Sequence, residues 1–344
     1  MLIPDSTYGS DEVGLVCGYV FAPGEAGRPL DSAAAVEWVR TAPAGATFLW
    51  LHFNVSNAGA QPWLQQNLLL PEAFYDSLHG GIGSTRVEQS ADSLLAVLND
   101  VSFDFAFDAA HVSTVTLWVQ KRLLVSARTK PLRSIDRLRE SVRGGARFRS
   151  TVELLAHLLQ LQAEVLAGIV RDSTIRIDTV EDGLLANRIG SSRGDLGRLR
   201  RVLVRLQRLL APEPAALFRL LNRPPVWIDE HDLQELREAA EEFASTVADG
   251  SALAERVKLL QEELAAVATE QTNRSLFVLT IVTRARVALQ RRGGPSRDER
   301  GRHPFRRPRL WLLGDRCPRH LVHRRGGPPG LSAALRPSLP RKAS

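Results

Sequence analysis

The chain has 344 residues, 44% of them hydrophobic, enough for a substantial core and room for two domains of ordinary size. Its formal charge of +7 is unevenly spread: residues 284–344 hold 17 Lys+Arg against 3 Asp+Glu, which leaves residues 1–283 with 28 basic and 35 acidic groups. The two cysteines, Cys17 and Cys317, exclude a disulfide framework, and the acidic opening MLIPDSTYGSDE has no apolar h-region, so no signal peptide is expected.

Residues 1–130 alternate short apolar runs with turn residues. GLVCGYVF (14–21), TFLWLHF (47–53), SLLAVLND (93–100), VSTVTLWV (112–119) and RLLVSAR (122–128) have the composition of strands. Only Gln120 and Lys121 separate the last two, which predicts a hairpin. DSAAAVEWVR (31–40) and LPEAFYDSL (70–78) carry helical patterns between them, giving a mixed α/β domain.

From residue 131 the pattern turns helical. SIDRLRESV (134–142) is a short amphipathic helix, and Val152, Leu155, Leu159, Gln162, Leu166 and Ile169 form a stripe in a helix predicted to reach about Asn187. GSSRGD (190–195) breaks it. DLGRLRRVLVRLQRLL (195–210) is a second long helix ending at Pro212. A third is expected from Asp229 to Thr283, with a weak point at Asp249 and Gly250. Beyond Gly250, Leu253, Val257, Leu260, Leu264 and Val267 keep a 4-3-4-3 spacing, the seam either of a coiled coil or of a bundle helix.

The third helix ends in ATEQTNRSLFVLTIVT (268–283), whose last eight residues are apolar or small. Spanning hydrocarbon takes about 20. After Thr283 the composition switches to RARVALQRRGGPSRDERGRHPFRR, rich in Arg, Pro and Gly. High charge and the lack of an apolar period predict disorder for residues 284–344.

Three stretches, FLWLHFNVSNAGAQPWLQQNLLLPEAFYDSL (48–78), TVTLWVQKRLLVSARTKPLRSIDRL (114–138) and EELAAVATEQTNRSLFVLTIVT (262–283), resemble the CorA-type divalent-cation transporters, most closely their ZntB-type zinc branch. The ordered resemblance covers residues 13–283. It implies an α+β fold: a cytoplasmic α/β/α domain (1–130), a helical funnel and stalk (131–275), the start of a first membrane helix (276–283) and an aberrant tail (284–344). It further implies a homopentamer in the inner membrane, with a divalent cation, zinc in this branch, as cargo and no cofactor.

The family carries a Gly-Met-Asn or Gly-Val-Asn signature after the first membrane helix, then a Gly-Gly-Ile-Pro-like turn and a second span. This chain shows none of them in its written frame. Codons for Arg297, Asp298, Glu299 and Arg300, read one nucleotide later, permit Gly-Met-Asn-Val. The same shift through residues 301–306 permits Gly-Gly-Ile-Pro-Phe-Ala, and residues 316–325 permit an apolar run. Residues 284–344 therefore read as a frameshifted membrane domain.

On the last helix Glu255, Glu262 and Glu270 lie seven and eight residues apart, near one face; in a pentamer each becomes a ring of five carboxylates, and otherwise they are a solvated surface. Asn273, Leu276, Thr280 and Thr283 also share a face, and the resemblance places it at the cytoplasmic end of the pore, with packing against lipid or subunits as the alternative. Arg clusters in the tail lack a folded nucleic-acid motif, so no nucleic-acid partner is expected. Cys317, His320 and His323 have close spacing but no fourth ligand, and His52, His79, His111, His157 and His231 share no ligand spacing. Gly80, Gly81 and Gly83 lack the Lys-Ser/Thr of a phosphate loop. No nucleophile–base pair points to an enzyme.

Overall fold

A computed structural model describes residues 9–41, 45–79, 85–108, 110–185 and 192–292. The predicted tail beyond Arg292, with its shifted signature and Cys317, His320 and His323, lies outside the described residues, as do Gly80, Gly81 and Gly83. The chain divides into two units, Met1–Val282 and Thr283–Ser344.

The first unit opens with β1 (Leu15–Phe21), β2 (Glu25–Ala26), β3 (Arg28–Leu30), α1 (Ser32–Thr41) and β4 (Phe48–Asn54). Two short helices follow, α2 (Ala60–Asn67) and α3 (Glu72–His79), then β5 (Arg86–Gln89), β6 (Ser93–Val101), β7 (Val112–Gln120) and β8 (Leu123–Arg128). After α4 (Arg133–Arg143) and β9 (Arg147–Phe148) come the long helices α5 (Thr151–Leu185), α6 (Ser192–Leu210) and α8 (Glu230–Arg292), with α7 (Pro212–Asn222) between the last two.

Seven strands form one mixed sheet in the order β3-β1-β4-β8-β7-β6-β5, parallel only between β4 and β8. Both faces are covered, so its central strands read as unbroken apolar runs. Along β4, Leu49, Leu51 and Phe53 join the core under α1, α2 and α3, while Phe48 and Trp50 join the core under α4, α5, α7 and the start of α8. This alternation makes the α/β/α sandwich. The predicted β7–β8 hairpin is present, its two-residue connection displaced to Lys121 and Arg122.

Helix starts follow local chemistry. Asp31 Oδ1 accepts the Ala34 N–H at 2.8 Å, Ser150 Oγ the Glu153 N–H at 2.9 Å, and Asp229 Oδ1 the Asp232 N–H at 2.8 Å, capping α1, α5 and α8. α8 runs unbroken through Asp249 and Gly250, where a weak point was expected. One helical Gly costs about 1 kcal/mol, and the packing of Val247 and Leu253 on either side outweighs it. The apolar window within Thr151–Gly183 of α5 is long enough to cross a membrane, yet 67% of it is buried inside the fold as core.

Sheet and helices are tied by a buried polar cluster. Glu213, at the start of α7 and fully buried, accepts the backbone N–H of Asn99 on β6 and Gln162 Nε2 of α5 at 3.1 Å. Asn99 Nδ2 donates to Thr85 Oγ1 at 2.6 Å and to the Leu209 carbonyl at 3.1 Å. Neighbouring Asp100 accepts the Ser134 and Val101 N–H groups at 3.1 and 2.7 Å, and the Ser134 hydroxyl. Burial pushes the Asp100 carboxyl up to about 6 and Glu213 well above the usual carboxylate range, overcoming the hydrogen bonds that favour their ionised forms.

A carboxyl whose folded pKa is raised holds a proton that the unfolded chain has released, so stability is greatest below about pH 4 on this account and falls as pH rises. Asp100 alone lowers stability by up to ~3 kcal/mol between about pH 4 and 6. Glu213 extends the decline to higher pH. Urea unfolding of Glu213→Gln is expected to show a shallower loss of stability above pH 5 than the native chain; equal slopes contradict a buried proton on Glu213.

Candidate functional site

The face of α8 that the rest of the fold leaves open is the candidate site. Leu253, Val257, Leu260 and Leu264 are buried against Ile177 of α5 and Leu196, Leu199 and Leu203 of α6. The predicted 4-3 seam is thus closed within one chain, as in a bundle. Arg256 reinforces one flank, donating to Asp178 at 2.8 Å and to Glu181 Oε1 at 2.9 Å. Arg200 of α6 reaches Gln261 at 3.1 Å on the other.

Two residues along an α-helix is a rotation of about 200°. Positions displaced by two from the buried seam therefore point away from it: Glu255, Leu259, Glu262, Ala266 and Thr269, followed by Asn273, Leu276 and Thr280. All eight are exposed, and they keep an alternating 4-3 spacing throughout. The fold thus brings two of the three predicted carboxylates and three of the four predicted pore residues onto one line. Glu270 is also exposed but falls one residue beyond Thr269, on an adjacent face. Thr283, the first residue of the second unit, continues the spacing in sequence. Leu259, 63% exposed between Glu255 and Glu262, was not read from the sequence, where the acidic and the terminal residues form two separate short sets.

Leu264 is the last buried residue of α8, Val267 and Ala268 are half-buried, and every residue from 269 to 282 is exposed. Leu276, Phe277, Val278, Leu279, Ile281 and Val282 are each between 52% and 67% exposed, an apolar band around the helix rather than along one side. Such a band belongs in a lipid or subunit environment. Within the second unit α8 continues to Arg292, with Arg284 and Arg286 exposed. The helix end expected at Thr283 and the disorder expected from residue 284 are thus corrected over 284–292, where RARVALQRR lacks Pro and Gly and sustains the helix.

The line carries carboxylates, an amide and hydroxyls, all hard oxygen donors. Thr280 Oγ1 donates to the Leu276 carbonyl at 2.7 Å, and Lys258 Nζ lies 3.4 Å from Glu255. Among the described residues, no three His, Cys, Asp or Glu side chains gather into a metal site within one chain. His52 is committed to the core: its Nε2 accepts from Arg128 Nε at 3.0 Å, which puts the ring proton on Nδ1, 2.8 Å from Ser126 Oγ. Burial and the neighbouring Arg128 keep it neutral, well below its usual pKa. Burial likewise pushes the Cys17 thiol up to about 11.

Residues 45–285 match the CorA-like Mg2+ transporter protein family, over more than half the chain. The zinc transport protein ZntB of Yersinia enterocolitica is 24% identical over 233 residues, covering 68% of this chain and 71% of its own. The divalent cation transporter CmaX of Pseudomonas aeruginosa is 27% identical over 280 residues, covering 79% and 82%. Among solved structures, full-length CmaX superposes with a TM-score of 0.74 at 24% identity, over 85% of this chain and 89% of that one. The complete CorA magnesium transporter of Methanocaldococcus jannaschii gives 0.64 at 15% identity, over 77% and 82%. Both likenesses establish the fold.

The two faces of α8 make opposite demands. Val257→Asp, which buries an unpaired carboxylate, is expected to lower unfolding stability by at least ~3 kcal/mol. Leu259→Asp on the open face is expected to stay within ~0.5 kcal/mol of native. Denaturant titration of both variants checks this, and comparable losses contradict the assignment of faces.

Proposed function

The chain belongs to the CorA-like Mg2+ transporter family, and we propose that it is a homopentameric subunit of a divalent-cation transporter of the inner membrane, with zinc as cargo and the N-terminal domain in the cytoplasm. The observation that carries this reading is the open line from Glu255 to Thr280, directly opposite the seam that binds α8 to its own chain. Five copies around an axis turn each position of that line into a ring.

Rings at Glu255 and Glu262, with Glu270 at their flank, concentrate cations by their summed potential. Farther along, Asn273, Thr280 and Thr283 supply oxygen rings that replace or hold water of hydration, and Leu276 supplies an apolar constriction. Oxygen donors of this kind suit a hydrated ion in transit rather than a tightly held zinc. Zinc as the cargo is supported by the ZntB relatives; magnesium remains the competing cargo to be measured alongside it.

A second reading is favoured by the sequence after Thr283: this chain as written is a non-conducting soluble oligomer or fragment, its membrane domain replaced by a frameshift. Eight apolar or small residues precede Arg284 and Arg286, and each central arginine costs ~2.5–3.5 kcal/mol or more on insertion scales. On this account the coding DNA carries a one-nucleotide indel near codons 281–285, and codons incompatible with ATG AAC across residues 298–300 contradict it.

Zinc and magnesium flux into proteoliposomes separates the readings. No flux is expected from the chain as written, and restored zinc uptake from the frame-repaired chain. Equal, substantial flux from both chains overturns the frameshift account, and no cation flux from the repaired chain overturns the transporter reading.

A further inference from the structure

Two outward faces of the helical bundle carry opposite charge. On α6, Arg198, Arg201, Arg205 and Arg208 follow one another at spacings of three, four and three, forming one row. The row lies away from the buried Leu199, Leu203 and Leu206, with Val204, 44% exposed, beside it. Arg198 holds Asp195 at 2.5 Å. Arg201, Arg205 and Arg208 make no side-chain hydrogen bond or ion pair with the described residues, and the Arg205 Nε is enclosed without an acceptor.

The opposing face lies on α8. Glu242, Asp249, Arg256 and Glu263 are spaced by sevens and share one side of the helix. Arg256 is engaged by Asp178 and Glu181, so this side flanks α5. Glu242, Asp249 and Glu263 are exposed and form no ion pair among the described residues. On α5, exposed Ile175 and Asp182 lie one turn to either side of Asp178.

Both faces occupy the same level of the bundle. Val202, Leu206 and Leu209 of α6 pack with Phe243 and Val247 of α8, and Leu199 and Leu203 with Leu253 and Val257. The pair Arg201 and Arg208 and the pair Glu242 and Asp249 each span seven residues, about 10.5 Å. Charge, length and level therefore agree.

We propose that the arginine row of α6 in one copy docks on the acidic α5/α8 flank of a second copy of this chain. The two surfaces differ, so the contact is heterologous: one copy is left with its acidic flank unused and the other with its arginine row, and the contact repeats until a ring closes. Val204 and Ile175 give the two faces one exposed aliphatic side chain each. An anionic membrane is the poorer occupant, because the row packs level with residues 243–257, and Leu276, the first of the exposed apolar band, lies 19 residues past Val257, about 28 Å along the helix. The proposal rests on the oligomeric reading above and assigns the residues that join neighbouring copies.

The test is native mass spectrometry and sedimentation of the full chain carrying Arg201→Glu with Arg208→Glu, Glu242→Arg with Asp249→Arg, or all four changes. Each reversed pair is expected to weaken association by about tenfold or more at roughly 0.15 M salt, with helical circular dichroism unchanged. The fourfold variant restores the charge match and is expected to reassemble with near-native affinity. A reversed pair that assembles like the native chain, or a fourfold variant no better than either pair, overturns this contact while leaving the oligomer standing. A native chain that stays monomeric overturns the oligomeric reading itself. Loss of binding to anionic vesicles or RNA by the Arg201/Arg208 variant, with its assembly intact, assigns the row to another occupant and also overturns the contact.

Discussion

α8 has two sides, and one chain can cover only one of them. Leu253, Val257, Leu260 and Leu264 are closed by α5 and α6, while the opposite line from Glu255 to Thr280 is exposed. A 63-residue helix is held by tertiary packing rather than by propensity. The intramolecular seam therefore sets how α8 is rotated, and that rotation decides which side chains face outward. Turning α8 by one residue, about 100°, would put other residues than Glu255, Glu262 and Asn273 on the open line. Which side chains line the open face is thus set by aliphatic contacts on the far side of the helix.

The sheet fixes the other end of this arrangement. The core beneath β1, β4, β6, β7 and β8 extends without interruption to Leu236, Ala239 and Ala240 of α8, and the Glu213 cluster joins β6, α5, α6 and α7 through hydrogen bonds that close only in one register. A change in the protonation of Glu213 or Asp100 acts on the junction between sheet and helices. The same side chains that specify how the layers meet make that junction a pH-sensitive part of the fold.

β1, β4, β6, β7 and β8 were legible because burial on both faces leaves an unmistakable apolar run, as in FLWLHF, whereas the short, more exposed β2, β3, β5 and β9 carry no such run. α5, α6 and α8 were legible from their stripes. α2 and α7 were not: Pro62 and Trp63 obscure the first, and the second follows α6 directly after Ala211, with Pro212 marking a stop when it is also a start. Glu213 gave no signal, since a buried carboxyl depends on partners 51 and 114 residues away in sequence. At the open face the acidic and polar residues were visible singly. Their continuity was hidden, because it is defined by a seam on the other side of the helix and is bridged by Leu259, Ala266 and Thr269, residues with no individual signal. The closed 4-3 seam also shows why apolar spacing alone leaves coiled coil and bundle undecided: the pattern records that a face is covered, not by which chain.

The exposed band of residues 276–282 sets a limit on what can satisfy it. Full burial of an aliphatic or aromatic side chain is favourable by about 1.5–3 kcal/mol, so six side chains that are each more than half exposed offer on the order of 5–10 kcal/mol to whatever covers them. That is ample for association but short for a span, since hydrocarbon about 30 Å thick needs some 20 apolar residues. Arg284 and Arg286 follow immediately and oppose any extension into lipid. A short apolar band on a helix whose near face is already closed is therefore the beginning of an environment that the next residues must continue. In the written frame they do not, and under the oligomer proposed above the cover for the band is other copies of the same helix.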